Sequence, residues 1–210
     1  MVRTLLIALS LTATLLVAAC GRDSDSADTP TATFTPDPAR PPAGLWWEDW
    51  QGVSMPISNA DGPELTSGAA GGFSRTPQGA GLAALHHATR VALAPDGMWP
   101  TIAAKSLVTG PGKDAYVLAR ARISITGPAD PALVPTFLGY RIDSYTPEQA
   151  EVTVYTRYPD GSLAAHHEKV SWIYRDWRLN LPDPAVDPNT TPVDAISATP
   201  ADIVRLEIKK

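Results

Sequence analysis

Three observations predict an α+β fold with helices packed on one face of a curved antiparallel sheet. The apolar spacing is helical from Thr76 onward, it changes to a period of two beyond Pro135, and the period-two segments are joined by short polar turns. Helices first and an antiparallel meander after them make a two-layer plan in which the sheet buries one face against the helices. Pro-rich segments on either side are expected to be a disordered stalk and tail.

The chain starts with a short n-region, Met1 to Thr4, carrying Arg3, followed by an apolar h-region from Leu5 to Val17. That run is too short to span a bilayer, which needs roughly 20 apolar residues, and it reads as a signal segment. Leu16-Val17-Ala18-Ala19-Cys20 resembles the lipobox of bacterial lipoproteins. The resemblance implies that residues 1–19 are removed and that the Cys20 thiol becomes a thioether to diacylglycerol. It makes Cys20 the mature N-terminus, with the membrane as its partner and the extracytoplasmic face of the cell membrane as its address. Two acyl chains give stable attachment where one is marginal. The competing reading is a plain secretory signal with an incidental cysteine. Cys20 is the only cysteine, so no disulfide within the chain is available and the fold must hold by packing.

Residues 20–44 are rich in Ser, Thr, Asp and Pro and contain one large apolar residue, Phe34. Such a segment buries too little surface to offset its ordering entropy, so it is expected to be a stalk. The folded domain is expected over residues 45–182, opening where three of the six tryptophans, Trp46, Trp47 and Trp50, arrive together. Three exposed tryptophans would make a large apolar patch, so docking onto the domain's own core is the preferred reading over an open ligand platform. Val53, Met55 and Ile57 alternate as a short strand, and residues 59–72 form a Gly-rich loop.

Thr76-Pro77 is a helix start, an N-cap hydroxyl followed by proline at the first helical position. Leu82, Leu85, Thr89 and Leu93 make its apolar stripe, and the helix is expected to end near Ala94, before Pro95-Asp96-Gly97. A shorter helix is expected from Trp99 or Pro100 to Val108, and a third from Lys113 towards Ile125, after a Gly110-Pro111-Gly112 break. Four strands follow: 137–145, 150–158, 163–174 and 177–181. Val152, Val154, Thr156 and Tyr158 share one face, as do Val170, Trp172 and Tyr174. Residues 183–210 are read as a Pro-rich tail in which 202–208 adds a late strand or helix.

The closing Val170-Ser171-Trp172-Ile173-Tyr174-Arg175-Asp176-Trp177-Arg178-Leu179 resembles the hairpin of the nuclear-transport-factor-two-like or SnoaL-like superfamily, in which a tryptophan plugs a cone-shaped core. The resemblance implies core roles for Trp172 and Trp177. Phe73-Ser74-Arg75-Thr76-Pro77-Gln78-Gly79-Ala80, Gly110-Pro111-Gly112-Lys113-Asp114 and Gly139-Tyr140-Arg141 are similar to an uncharacterised family of actinobacterial exported or membrane-anchored proteins. Some of these are encoded with conjugative-transfer genes. The similarity spans about residues 46–182.

Chemistry-bearing residues are sparse. The paired His86-His87 and His166-His167 cannot converge fully, because neighbours point about 100° apart on a helix and to opposite faces of a strand. At most one from each pair could face a common centre, where a zinc site needs three or four ligands. Glu168 could supply another, but the structural reading is preferred, and no metal and no cofactor are expected. Gly110-Pro111-Gly112-Lys113 lacks the spacing and preceding strand of a phosphate loop. No Gly-x-Ser-x-Gly elbow is present, and no catalytic residue is assigned. Asp143 with Tyr140 or Tyr145 is the candidate set for a ligand cavity, by analogy with cone-fold isomerases that use a carboxylate and a hydroxyl donor. With 22 acidic against 17 basic residues the net charge is −5, one unit lower once Arg3 leaves. Nucleic acid is excluded as a partner, since phosphate backbones demand clustered Lys and Arg. The expectation is a cell-envelope lipoprotein that acts as a non-enzymatic protein-binding or assembly module in conjugative transfer or secretion. The alternatives are a binder of a small apolar ligand in the cone cavity and, third, an isomerase-like enzyme. An open cavity of a few hundred cubic ångströms with convergent polar groups favours the alternatives.

Overall fold

The computed structural model describes residues 36–186 and 192–206. Cys20 and the signal segment lie outside the described residues. Strands β1 (Leu45–Trp50) and β2 (Val53–Ser58) pair antiparallel around Gln51-Gly52. Both turn residues have positive φ, 54° and 79°, the geometry that matches the twist of a two-residue hairpin. Trp47 and Trp50 pack against the core, while Trp46 remains 45% exposed.

Helix α1 (Pro77–Leu93) starts as its sequence demands, with the Thr76 hydroxyl accepting from the Gly79 N–H at 3.1 Å. It is buried on nearly all sides rather than along one stripe, because β2, the main sheet and the next helix all press on it. Gly79 and Gly81 permit this: a Cβ at Gly79 would meet the Ser74 carbonyl, and one at Gly81 the Tyr140 ring. Helices α2 (Trp99–Ser106) and α3 (Pro111–Arg120) follow. The third helix begins earlier than expected because Pro111 serves as an N-terminal helical residue. Gly112 lies within it, where a Cβ would run into the Leu181 carbonyl.

The main sheet is built from β3 (Thr136–Tyr145), β4 (Gln149–Arg157), β5 (Leu163–Ile173), β6 (Asp176–Asn180), β7 (Val193–Ile196) and β8 (Val204–Arg205). Its order is β6-β5-β4-β3-β8, all antiparallel, and β7 joins the first half of β5, beyond the reach of β6. Helix α1 lies across one face, so the α+β plan holds. The β5–β6 turn is Tyr174-Arg175, both at positive φ (56° and 65°), one residue before the expected Arg175-Asp176.

Both expected domain borders move outward. Residues 37–43, read as stalk, are held against the start of α1. The Gln78 amide donates to the carbonyls of Asp37 and Arg40, each at 2.8 Å, and Pro42 is buried. Asp61, 2% exposed, gathers the hydroxyls of Ser58, Ser74 and Thr76 and the Ala43 N–H. At the other end the expected tail supplies β7 and β8, and Ile203, Val204 and Leu206 are buried. The late strand expected within 202–208 is β8; β7 was not foreseen. Strands this short carry too few alternations to register as a period among prolines.

Candidate functional site

A groove of about 410 Å³ opens between α1 and the helix-facing side of the sheet. From α1 it takes Leu85, Ala88, Thr89, Ala92 and Leu93, spaced three and one apart so that they share a helix face. Ala88 and Ala92 are too small to fill the space that opens there. Val53 on β2, Phe137 on β3 and Val154 on β4 form the apolar floor, and Pro192 and Val193 form a wall at the start of β7.

The polar groups come from two adjacent strands. In the β4–β5 register, Val152 faces Glu168 and Val154 faces His166. Val152 and Val154 are core residues, so His166 and Glu168 point to the same interior side. The His166 Nε2 and Thr156 Oγ1 are 3.0 Å apart and hydrogen-bonded. Burial lowers the His166 pKa, and neighbouring His167 lowers it further, so the ring is neutral at pH 7. Burial alone pushes the Glu168 carboxyl up to about 7, with no hydrogen-bond donor or cation counteracting it among the described residues.

The residues expected to line a cavity do not converge. Tyr140 is fully buried beneath Gly81, its hydroxyl without a hydrogen-bond partner among the described residues and kept protonated by burial. Asp143 is turned to the opposite face of the sheet, where its carboxylate meets Arg141 Nε at 2.7 Å and the Thr153 hydroxyl at 2.5 Å. This is plain strand alternation: Tyr140 and Ile142 pair with core residues Val154 and Val152, so Asp143, three positions from Tyr140, faces the other way. The register shift between Ile142 and Ser144 instead returns Tyr145, opposite Ala150, to the core side. Tyr145 is at the rim by Trp177, donating to the Arg75 carbonyl at 3.0 Å. The analogy with cone-fold isomerases groups the three residues, but strand alternation separates Asp143 from Tyr140.

Trp177 is 0% exposed, donates from its indole to the Ser74 carbonyl at 2.9 Å, and meets Trp172 edge-on at 5.3 Å. Trp172 is only partly buried, its ring covered by the Arg75 guanidinium. The four histidines have separate settings. His86 donates to the Pro56 carbonyl and His87 to the Trp177 carbonyl, at 2.7 and 2.9 Å. His166 faces the groove, and His167 lies on the outer face between Thr153 and Asp194. Among the described residues, no group of three or more His, Cys, Asp or Glu side chains is placed to hold a metal ion.

The groove pair was missed although a signal for it existed. Counting back by twos from Trp172 and Val170, already assigned to the core face, reaches Glu168 and His166. Polar side chains on a core-facing strand are the mark of a lined cavity.

Fold and groove together define an α+β domain whose helix-covered sheet face leaves an apolar groove with a carboxyl and a neutral imidazole. The chain belongs to the family described as Domain of unknown function (DUF8175), which matches residues 16–199, from before Cys20 through β7. No curated protein and no solved structure matches it.

Proposed function

We propose that this protein is a lipid-anchored module of the cell envelope, of the nuclear-transport-factor-two-like cone type, whose groove binds a small, mainly apolar ligand. The groove between α1 and the sheet carries this reading: its volume lies within the range of ligand pockets, and Thr156, His166 and Glu168 from β4 and β5 are among the few polar groups of a mainly apolar lining. Trp177 plugs the region beneath the closing hairpin but is not among the groove residues, so the cone is not filled throughout. This favours ligand binding over the assembly role that the sequence placed first. Tethered at Cys20 outside the membrane, the domain would capture its ligand there, and a role beside conjugative-transfer components belongs to the same proposal.

Filling the groove tests the reading. The Ala88→Phe variant should retain its far-ultraviolet circular dichroism and lose affinity for a neutral apolar dye such as Nile red by about tenfold, or 1.4 kcal/mol. Undiminished dye binding by a folded Ala88→Phe protein would remove the groove from consideration. Anchoring is tested separately. Cys20→Ser should leave unprocessed precursor or release the protein from the membrane fraction, and normal processing with unchanged retention would defeat the lipoprotein assignment.

A further inference from the structure

Glu168 brings a carboxyl into a mainly apolar groove where no cation among the described residues meets it. Among the described residues it makes no ion pair and no hydrogen bond, and the other polar side chains of the lining, Thr89, Thr156, Tyr158 and His166, carry no positive charge. The cations nearby are engaged elsewhere. The Arg90 guanidinium lies over Trp50, 4.8 Å from the ring centroid. Glu168 also borders a cleft beside the outer face that contains Asp143, Glu151, His167 and Lys169. There Lys169 is turned to Glu151 at 3.6 Å and Asp143 is held by Arg141. Among the described residues, the surroundings of Glu168 thus offer no positive charge of their own to an ionised carboxyl or to an anionic ligand.

A buried charge is retained at low cost only when it is paired, so the ligand must bring what the protein omits. We propose that the groove selects a cationic amphiphile, an apolar body of roughly eight to ten carbons ending in one amine, with Glu168 pairing the ammonium and the apolar floor holding the body. This rests on the reading of the groove as a ligand site and deepens it to a ligand class. A fatty acid or a phosphate ester is disfavoured by the same geometry, since its head would lie beside a carboxylate with no counter-charge.

Displacement of Nile red by octylamine, 1-octanol and octanoate, three probes with one body and different heads, distinguishes the outcomes. At about pH 8 octylamine should bind about tenfold more tightly than 1-octanol, with octanoate weakest. Glu168→Gln should abolish the preference for the amine and leave 1-octanol unchanged. Both proteins are measured in the same detergent, so partitioning cancels in the comparison. As the pH falls from 8 to 6 and Glu168 takes a proton, the advantage of the amine should shrink, whereas a ligand that accepts a hydrogen bond from the neutral acid would gain. Equal or tighter binding of 1-octanol or octanoate, or a preference for the amine that survives in Glu168→Gln, overturns the ligand class and leaves the groove as an apolar site. Failure of all three probes to displace the dye overturns the groove reading together with it.

Discussion

Acidification from pH 7 to pH 5 should destabilise this protein by about 2–3 kcal/mol, chiefly through His86 and His87. Both rings are 1% exposed or less, and burial lowers their pKa values from 6.5 to about 3 for His86 and about 4 for His87. The backbone hydrogen bonds to Pro56 and Trp177 act in the opposite direction but do not compensate, and Arg90 nearby lowers both further. The unfolded chain therefore takes up these two protons below pH 6.5 while the folded chain refuses them. Stability is complete above 6.5 and falls with pH until the folded values are reached. Each group contributes up to about 1.4 kcal/mol per pH unit in that window, so both together lose about 4 kcal/mol at pH 5.

Glu168 has the reverse sign. Its folded pKa is raised, so between about 7 and the unfolded carboxylate range the folded state holds the proton more tightly, and acid restores stability. The groove is open to solvent on one side, so this return is discounted to about 1–2 kcal/mol. Asp176, raised by burial against the backbone donors of Gly72, Phe73 and Trp177, adds in the same sense. Urea denaturation at a series of pH values reads the balance, and His87→Gln, which keeps a donor near the Trp177 carbonyl, should remove about half of the histidine slope. A stability profile that is flat from pH 7 to pH 5 in the parent and steeper in Glu168→Gln would mean that the two terms cancel. A flat profile in both would place the histidines in contact with water.

Truncation of Trp177 should be the most damaging single substitution in the closing hairpin. Trp177→Ala removes a fully buried aromatic for about 3–5 kcal/mol, and the Ser74 carbonyl loses its indole donor as well. Trp172→Ala should cost less, since that ring is partly exposed and one of its contacts is the exposed Arg75 guanidinium. Chemical denaturation measures both. Nile red binding at a temperature where Trp177→Ala is still folded should persist, because Trp177 does not line the groove. Near-normal stability in that variant would move Trp177 from the core to the surface.

The regular elements were legible because their signals are local. Thr76-Pro77 carries its own cap, the leucine spacing of α1 is helical, and β3 to β6 alternate over five to eleven residues with turns between them. The candidate site was legible only in part. The analogy that groups Asp143 with Tyr140 conflicts with their odd spacing, which puts them on opposite faces of β3, whereas the register shift that returns Tyr145 to the core side has no local signal. Glu168 and His166 share the face of Val170 and Trp172, but the sequence offers them only as candidate metal ligands, because the groove they line needs α1 opposite them.

From its residues alone the chain determined an α+β fold, its helix start and its hairpin order, because each of these depends on neighbours within a few positions. The tertiary structure decided what depends on distant segments meeting. Strands β7 and β8 are too short to declare themselves and exist because β5 and β3 offer them unpaired edges. Residues 37–43 are held by Gln78 and Asp61, some twenty to forty positions away. The groove exists because Ala88 and Ala92 face Val154, His166 and Glu168 across two layers. A cavity is defined by the side chains that fail to fill it, and that failure is visible only once both walls stand opposite each other.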